Sequence, residues 1–377
     1  MRILIASHTY VVGANHGKLA ALVGQGVEVG LLVPERWRDP LVKRSSRFDS
    51  APEGVRAFPA RVPFAGRGGA YFFPPQAISK AVRTLRPQIV HVEAECFQLV
   101  TAQMAALARY LRVPMTLFTW EDTRHPRWRG PLARWSLGAV RHLFAGNRGA
   151  ERLCRSLGYA GPASILPQLG IDLPPGRVKP RGFPTGDPRI VFVGRLGWHK
   201  GVDVLIRALA ELRRDGIGAR LVVVGAGPEE EHLRALARDL GIGEALQWLG
   251  WVPHDEVPRV LADSDLLVLP SRRVPGWQEQ FGHVLIEAMA AGLPVVGSSC
   301  GAIPDVIGRS EYIFPQGDAQ ALAKVLRRLL TAPQAYEEAA RYSVQRVEAF
   351  SNENVARAML RVWEGVLADG AYSPSVG

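Results

Sequence analysis

Two glutamates eight residues apart, Glu279 and Glu287, lie in the run Trp277-Gln-Glu-Gln-Phe-Gly-His-Val-Leu-Ile-Glu-Ala-Met-Ala-Ala-Gly-Leu-Pro-Val-Val. The first lies in a loop before a segment of helical period, and the second lies in that segment, two helical turns further on. Carboxylates in those positions accept hydrogen bonds from sugar hydroxyls, and the amides at the helix start, those of Phe281 and Gly282, point toward the same ligand. On spacing alone, the pair also fits a solvated helix surface. A second constellation, Gly194-Arg195-Leu-Gly-Trp-His-Lys200-Gly201, follows the apolar run Ile190–Val193 and opens a helix. Backbone amides in such a loop can face an anion, with Arg195 and Lys200 straddling it as a diphosphate clamp; the alternative is two solvated loop charges. A third run, Gly225-Ala-Gly227-Pro-Glu, holds only part of a dinucleotide fingerprint. Its third glycine is absent, and Glu229 to Glu231 would oppose a phosphate, so it reads as a structural turn or a nucleobase wall.

The first half of the chain gathers polar groups at the ends of its apolar runs: Ser7, His8 and Tyr10, then Glu93 and Glu95, then Glu121 and Asp122. The four acids could bind acceptor hydroxyls or take the proton of an attacking one; equally, they could pair with Arg124, Arg127 or Arg129.

These residues need a scaffold that ends several strands at one edge, and the pattern supplies it. Apolar runs at Arg2–Ala6, Val27–Val33, Ile89–Val92 and Met115–Phe118 alternate with helical segments near Gly17–Gln25, Pro75–Leu85 and Leu99–Leu111. After Pro167–Pro188, which holds six Pro and four Gly in 22 residues, the rhythm restarts with runs at Ile190, Leu221, Leu246, Leu266 and Val295. Uniformly apolar strands separated by helices predict parallel sheets, since antiparallel strands would show alternation and tight hairpins. The expected fold class is therefore α/β: two Rossmann-like parallel-sheet domains facing each other across a cleft. Residues 1–166 form the first, 167–188 the linker and 189–351 the nucleotide-binding second, with a last helix over 352–367 packed back on the first.

The net charge of +11 is uneven. Residues 1–180 carry 25 Lys+Arg against 11 Asp+Glu, or +14, and the remainder 21 against 24, or −3. That points the first domain toward an anionic surface or acceptor. A polyanion-binding protein is one reading, but no aromatic-interleaved basic stripe of the nucleic-acid type is found, so nucleic acid is not expected as a partner. Cys96, Cys154 and Cys300 lack paired spacing, so neither a disulfide frame nor a zinc site is indicated. No apolar stretch reaches the ~18 residues a membrane span needs, so the expectation is a cytoplasmic protein, peripheral at most on the inner face of a membrane.

The segment EQFGHVLIEAMAAGLPVV resembles the E-x₇-E region of the retaining glycosyltransferases of family 4, which have the glycosyltransferase-B (GT-B) fold. GRLGWHKG, VVVGAGPEEEHL, LGWVPHDEVPRVLADSDLLVLPS and CGAIPDVIG resemble further family segments in the family's order, covering residues 190–308 almost continuously. The resemblance implies that Arg195, Lys200 and Gly194 meet the diphosphate of a nucleotide sugar, that Glu279 and the Phe281–Gly282 amides hold the donor sugar, and that Glu287 holds the ribose. It implies transfer with retention of configuration and no metal or other cofactor, with UDP-sugar the default donor and GDP-mannose the other choice. The first domain departs from the pattern. Where the family has a Gly-Gly pair, HTYVVGANHGKL has only Gly13, and Trp120 stands where many members have a histidine. A lipid-linked or polysaccharide acceptor of a cell envelope suits the basic half, and an anionic membrane is the partner surface. A sugar-nucleotide epimerase on the same fold is the rival enzyme.

Overall fold

The computed structural model describes residues 1–38, 45–67, 69–122, 129–173 and 178–369. The chain forms two units, one of Met1–Asp172 with Ser351 onward, the other of Leu173–Phe350. Of the arginines expected near the acids, Arg124 and Arg127 lie outside the described residues.

In the first unit, seven parallel strands run in the order Arg56–Ala60, Glu28–Pro34, Arg2–Ser7, Ile89–Glu93, Met115–Thr119, Val140–Ala145 and Ala163–Ile165. Order reverses between the first strand and Ile89–Glu93, so the loops after these two diverge and leave room for side chains between them. One face of the sheet is covered by the helices Pro75–Leu85 and Leu99–Leu111, whose Ala81, Leu85, Met104 and Ala108 are buried against Leu4, Val90 and Leu117. The opposite face takes Leu19 and Leu22 of the helix Gly17–Gly24, and Val355, Met359 and Trp363 of the final helix Asn352–Ala368. Ser351 caps that helix by accepting from the Asn354 amide at 3.1 Å. Gly17 is required at this contact, because a Cβ there would stand 2.1 Å from Asn352 Nδ2. Trp363 is fully buried, and its indole NH donates to Thr116 Oγ1 at 3.1 Å. Truncating such a side chain costs about 3–5 kcal/mol.

One element breaks the parallel pattern expected from the sequence. Arg36–Arg38 and Ser45–Arg47 form an antiparallel two-stranded ribbon with Arg36 opposite Arg47 and Trp37 opposite Ser46. Its alternation, Arg-Trp-Arg, is too short to register against the longer apolar runs.

In the second unit, six parallel strands run in the order Leu246–Gly250, Arg220–Val224, Arg189–Val193, Leu266–Leu269, Val295–Ser298 and Ile313–Phe314. Order again reverses beside a unit's first strand, here between Arg189–Val193 and Leu266–Leu269. The helix Val202–Arg214 buries Val204, Leu205, Ala208, Leu209 and Leu212 in a 3.6-residue rhythm and leaves Arg207, Arg213 and Arg214 to solvent. Two later helices, Ala319–Thr331 and Pro333–Glu348, complete the unit; the first is capped by Asp318, which accepts from the Ala321 amide at 2.9 Å.

Candidate active site

In the second unit the two loops at the sheet's reversal point meet through their side chains. Lys200 comes from the loop after Arg189–Val193 and Glu279 from the loop after Leu266–Leu269; Nζ lies 2.7 Å from Oε2. Ser271 Oγ donates to the same oxygen at 2.7 Å. Trp277 lies 4.9 Å from the Lys200 ammonium and 4.2 Å from the His199 ring. Burial and the neighbouring Lys200 charge depress His199 below its ordinary range. Glu279 is held from behind as well, since its carbonyl accepts from the Ala302 amide at 2.9 Å. Gly301, in the left-handed region at φ 58°, passes so close that a Cβ would sit 2.0 Å from that carbonyl oxygen.

The glycine loop differs from a simple amide cradle. The amides of Gly194, Leu196, Gly197, Lys200 and Gly201 donate to carbonyls of the protein itself. Charge toward a ligand must therefore come largely from side chains, and Arg195 is exposed and without an ion pair among the described residues. The partial fingerprint explains itself by close packing: a Cβ on Gly225 would lie 2.0 Å from the Gly194 carbonyl oxygen, and one on Gly227 2.2 Å from that of Leu196.

At the helix His283–Ala290, Gly282 is the left-handed N-cap at φ 81°. Phe281 is buried with its ring 5.7 Å from that of Phe350, so its side chain belongs to the core. Glu287 lies in this helix with His254 Nε2 at 4.0 Å, and burial raises its carboxyl above the ordinary range.

The acids of the first unit separate into two kinds. Glu93 is fully buried: Lys18 donates at 2.6 Å and Tyr10 at 2.9 Å to Oε1, and Gln168 at 3.0 Å to Oε2. Burial alone would raise this carboxyl, but the Lys18 ammonium and His91 outweigh it and hold it well below the usual carboxylate range. Lys18, equally buried, is thus the partner that the arginine reading of these acids missed. Glu95 is only partly buried, and accepts from Thr119 Oγ1 and from the amides of Trp120 at 3.2 Å and Glu121 at 3.1 Å. Burial, with a smaller contribution from Glu121, lifts it to about 7 against those hydrogen bonds. Glu121 and Asp122 follow it, both half-buried. Trp120 donates from Nε1 to Gln168 Oε1 at 2.6 Å, which ties it to the Glu93 network. Gly13 sits exposed in a short turn with open space where a Cβ would be.

The family model for glycosyl transferases group 1 matches residues 177–346. Glycogen synthase of Mycobacterium tuberculosis is 32% identical over 295 residues, which span 74% of this chain and 69% of that protein. This chain belongs to the group 1 glycosyl transferases. Solved structures agree on the fold: sucrose-phosphate synthase from Thermosynechococcus elongatus superposes with a TM-score of 0.68 over 98% of this chain and all of that one, at 20% identity. Anabaena HepE in complex with UDP gives 0.68 over 97% of this chain and all of that one, at 15% identity. The fold is thus the GT-B type of α/β architecture, and the protein is an enzyme that transfers sugars.

In this glycosyl transferase, two residues that the sequence assigns to separate duties, Lys200 to phosphate and Glu279 to sugar, form one hydrogen-bonded pair. Ser271, Trp277 and Gly301 complete their surroundings and were not singled out. The signal for Gly301 was present in CGAIPDVIG, whose glycine follows the strand that ends beside Leu266–Leu269. Ser271 carried none beyond its place at a strand end.

Proposed function

We propose that the enzyme moves a sugar from a UDP-sugar to a lipid-linked or polysaccharide acceptor with retention of configuration and without a metal. The observation that carries this reading is the Lys200–Glu279–Ser271 cluster at the reversal point of the second sheet, where α/β sheets bind nucleotides. In this reading Glu279 accepts donor-sugar hydroxyls, Glu287 accepts from the ribose, and the Phe281–Gly282 backbone steadies the sugar. Arg195 and Lys200 bear the charge that develops on the departing diphosphate. The first domain presents the acceptor, with Glu95, Glu121 and Asp122 toward its hydroxyls; Glu93, spent on Lys18, holds the loop in place. The net +14 of residues 1–180 supports an acceptor that carries phosphate or lies at an anionic surface.

The test is a donor panel of UDP-glucose, UDP-galactose, UDP-N-acetylglucosamine and GDP-mannose with candidate lipid-linked acceptors, in EDTA, reading nucleotide release and the anomeric configuration of the product. Transfer from a UDP-sugar with the anomer retained is expected. An inverted anomer, a requirement for added metal, or an epimerised donor in the absence of acceptor would overturn the reading.

A further inference from the structure

The antiparallel ribbon of the first unit has two unlike faces. Trp37 on its inner face stacks on His8 with ring centroids 4.3 Å apart and meets Tyr71 edge-on at 4.9 Å, which fixes the ribbon above the carboxyl end of the first strand. Period two then puts Arg36 and Arg38, and the cross-strand neighbour Arg47, together on the outer face, where all three are exposed. None of them makes a side-chain hydrogen bond or ion pair among the described residues. Arg36 stands directly opposite Arg47, a like-charge pairing that disfavours the ribbon unless something anionic covers it.

A turn of different chemistry abuts the same strand. Gly66 passes so close to it that a Cβ would lie 2.0 Å from the Arg38 carbonyl oxygen. Two residues earlier, Phe64 is held at φ 57°, a conformation that bulky side chains avoid, and the residue is 53% exposed. The turn closes through Arg67 N–H donating to the Phe64 carbonyl at 2.9 Å, and the Arg67 side chain is exposed. An aromatic ring offered to solvent at a conformational cost, beside four outward guanidinium groups, matches one kind of surface. Lipid headgroups supply phosphate to the guanidinium forks, and the acyl boundary accepts the ring.

We propose that the outer face of the ribbon, Arg36, Arg38 and Arg47, together with the Phe64–Arg67 turn, is a docking surface for an anionic lipid bilayer. The inference rests on the acceptor reading above, since a lipid-linked acceptor is presented at such a surface. An exposed ribbon suits an extended layer of headgroups, and the ring distinguishes a bilayer from a soluble polyanion, which offers it nothing to enter.

The test is co-sedimentation of the full chain, without donor, with vesicles of phosphatidylcholine containing phosphatidylglycerol and with vesicles of phosphatidylcholine alone. At low salt the protein pellets with the anionic vesicles only. Replacing Arg36→Gln, Arg38→Gln and Arg47→Gln together lowers the partition coefficient on the order of 100-fold. Phe64→Gly lowers it several-fold while thermal stability stays equal or rises, because glycine accepts the turn's backbone angle. Wild-type protein that ignores phosphatidylglycerol at low salt, or an arginine variant that binds as wild type, overturns the proposal. So does binding to heparin as tight as to vesicles and indifferent to Phe64→Gly, which marks a polyanion site. Self-association abolished by the arginine changes would mark a second copy as the occupant instead. Transfer to the lipid-linked acceptors is read separately: its absence with every donor would count against the acceptor reading and leave the vesicle result standing.

Discussion

Replacing Lys200 by methionine removes the ammonium that holds Glu279 and keeps most of the side chain's volume. The side chains of the pair are 17% and 10% exposed and 2.7 Å apart, closer to a buried ion pair than to a surface one. Breaking a fully buried pair costs about 3–5 kcal/mol and an exposed one about 0–1 kcal/mol, so Lys200→Met should destabilise the second unit by about 2–3 kcal/mol. For a unit of this size that lowers the midpoint of its thermal transition by roughly 5–10 °C. The double variant with Glu279→Gln should recover part of the loss, with a coupling energy of about 1 kcal/mol or more. Calorimetry of the four proteins reads these quantities. Kinetics separate tether from clamp. If Lys200 also meets the leaving diphosphate, kcat/KM with the nucleotide sugar falls by about 2–4 kcal/mol in transition-state terms, roughly 30- to 1,000-fold. If it only tethers Glu279, the single and double variants are equally impaired. A Lys200→Met protein with an unchanged transition and kcat/KM within about twofold of wild type would refute both roles.

Lys18→Met strands Glu93, a fully buried carboxylate, and should cost the first unit about 3–5 kcal/mol in urea unfolding; a loss below about 1 kcal/mol would mean the network is not what orders that loop. Since Glu93 is depressed in the folded state, its contribution is present above the ordinary carboxylate range and is lost only as the pH falls through strongly acidic values. Glu95 behaves oppositely: raised to about 7, it stabilises the fold below its unfolded value near 4.5, and that contribution disappears as the pH rises through 7. Wild type should therefore gain on Glu95→Gln by on the order of 1–3 kcal/mol between about pH 7.5 and 4.5, and parallel stability curves for the two proteins would dismiss this. Gly301→Ala pushes a methyl group into the Glu279 carbonyl and should cut kcat/KM by about tenfold or more, because small displacements of a positioning group are costly; wild-type kinetics would show that Glu279 need not be held there.

The strands named from the sequence were placed to within a residue or so, because uniformly apolar runs such as Leu221–Val224 and Leu266–Leu269 have one use in a protein of this composition; the short strands Arg56–Ala60, Ala163–Ile165 and Ile313–Phe314 offer no such run and were missed. Val140–Ala145 escaped notice since the adjacent Arg141 and His142 interrupt the apolar run; it lies second from the sheet's edge, with Arg141 exposed and His142 bonded to Ser164. The helices Ala319–Thr331 and Pro333–Glu348 carry no chemistry-bearing motif and were passed over for that reason. Glu279 and Glu287 could be singled out together because their separation is local. The contact of Lys200 with Glu279 was not legible, since 79 residues intervene and only the adjacency of two strands brings them together. Glu93 shows the limit most plainly. Its acidic type left acceptor binding and pairing with an arginine equally open, but Lys18, 75 positions earlier, takes its charge, and that pairing depends on how one helix lies over the sheet.

The final helix has a consequence in time. The polypeptide leaves the first unit at Asp172 and re-enters it at Ser351, where Asn352 donates from its amide to the Ile171 carbonyl at 3.0 Å and from Nδ2 to Asp172 at 2.7 Å. A ribosome adding about 5–20 residues per second takes roughly 10–35 s to cross the interval between those points. Throughout it, the sheet face that Val355, Met359 and Trp363 will cover stands open, while the second unit, continuous in the chain, is finished first. The first unit is therefore sealed after the second, and the nascent chain must keep Ile3, Ile5 and Leu31 from other apolar surfaces until the helix Asn352–Ala368 emerges.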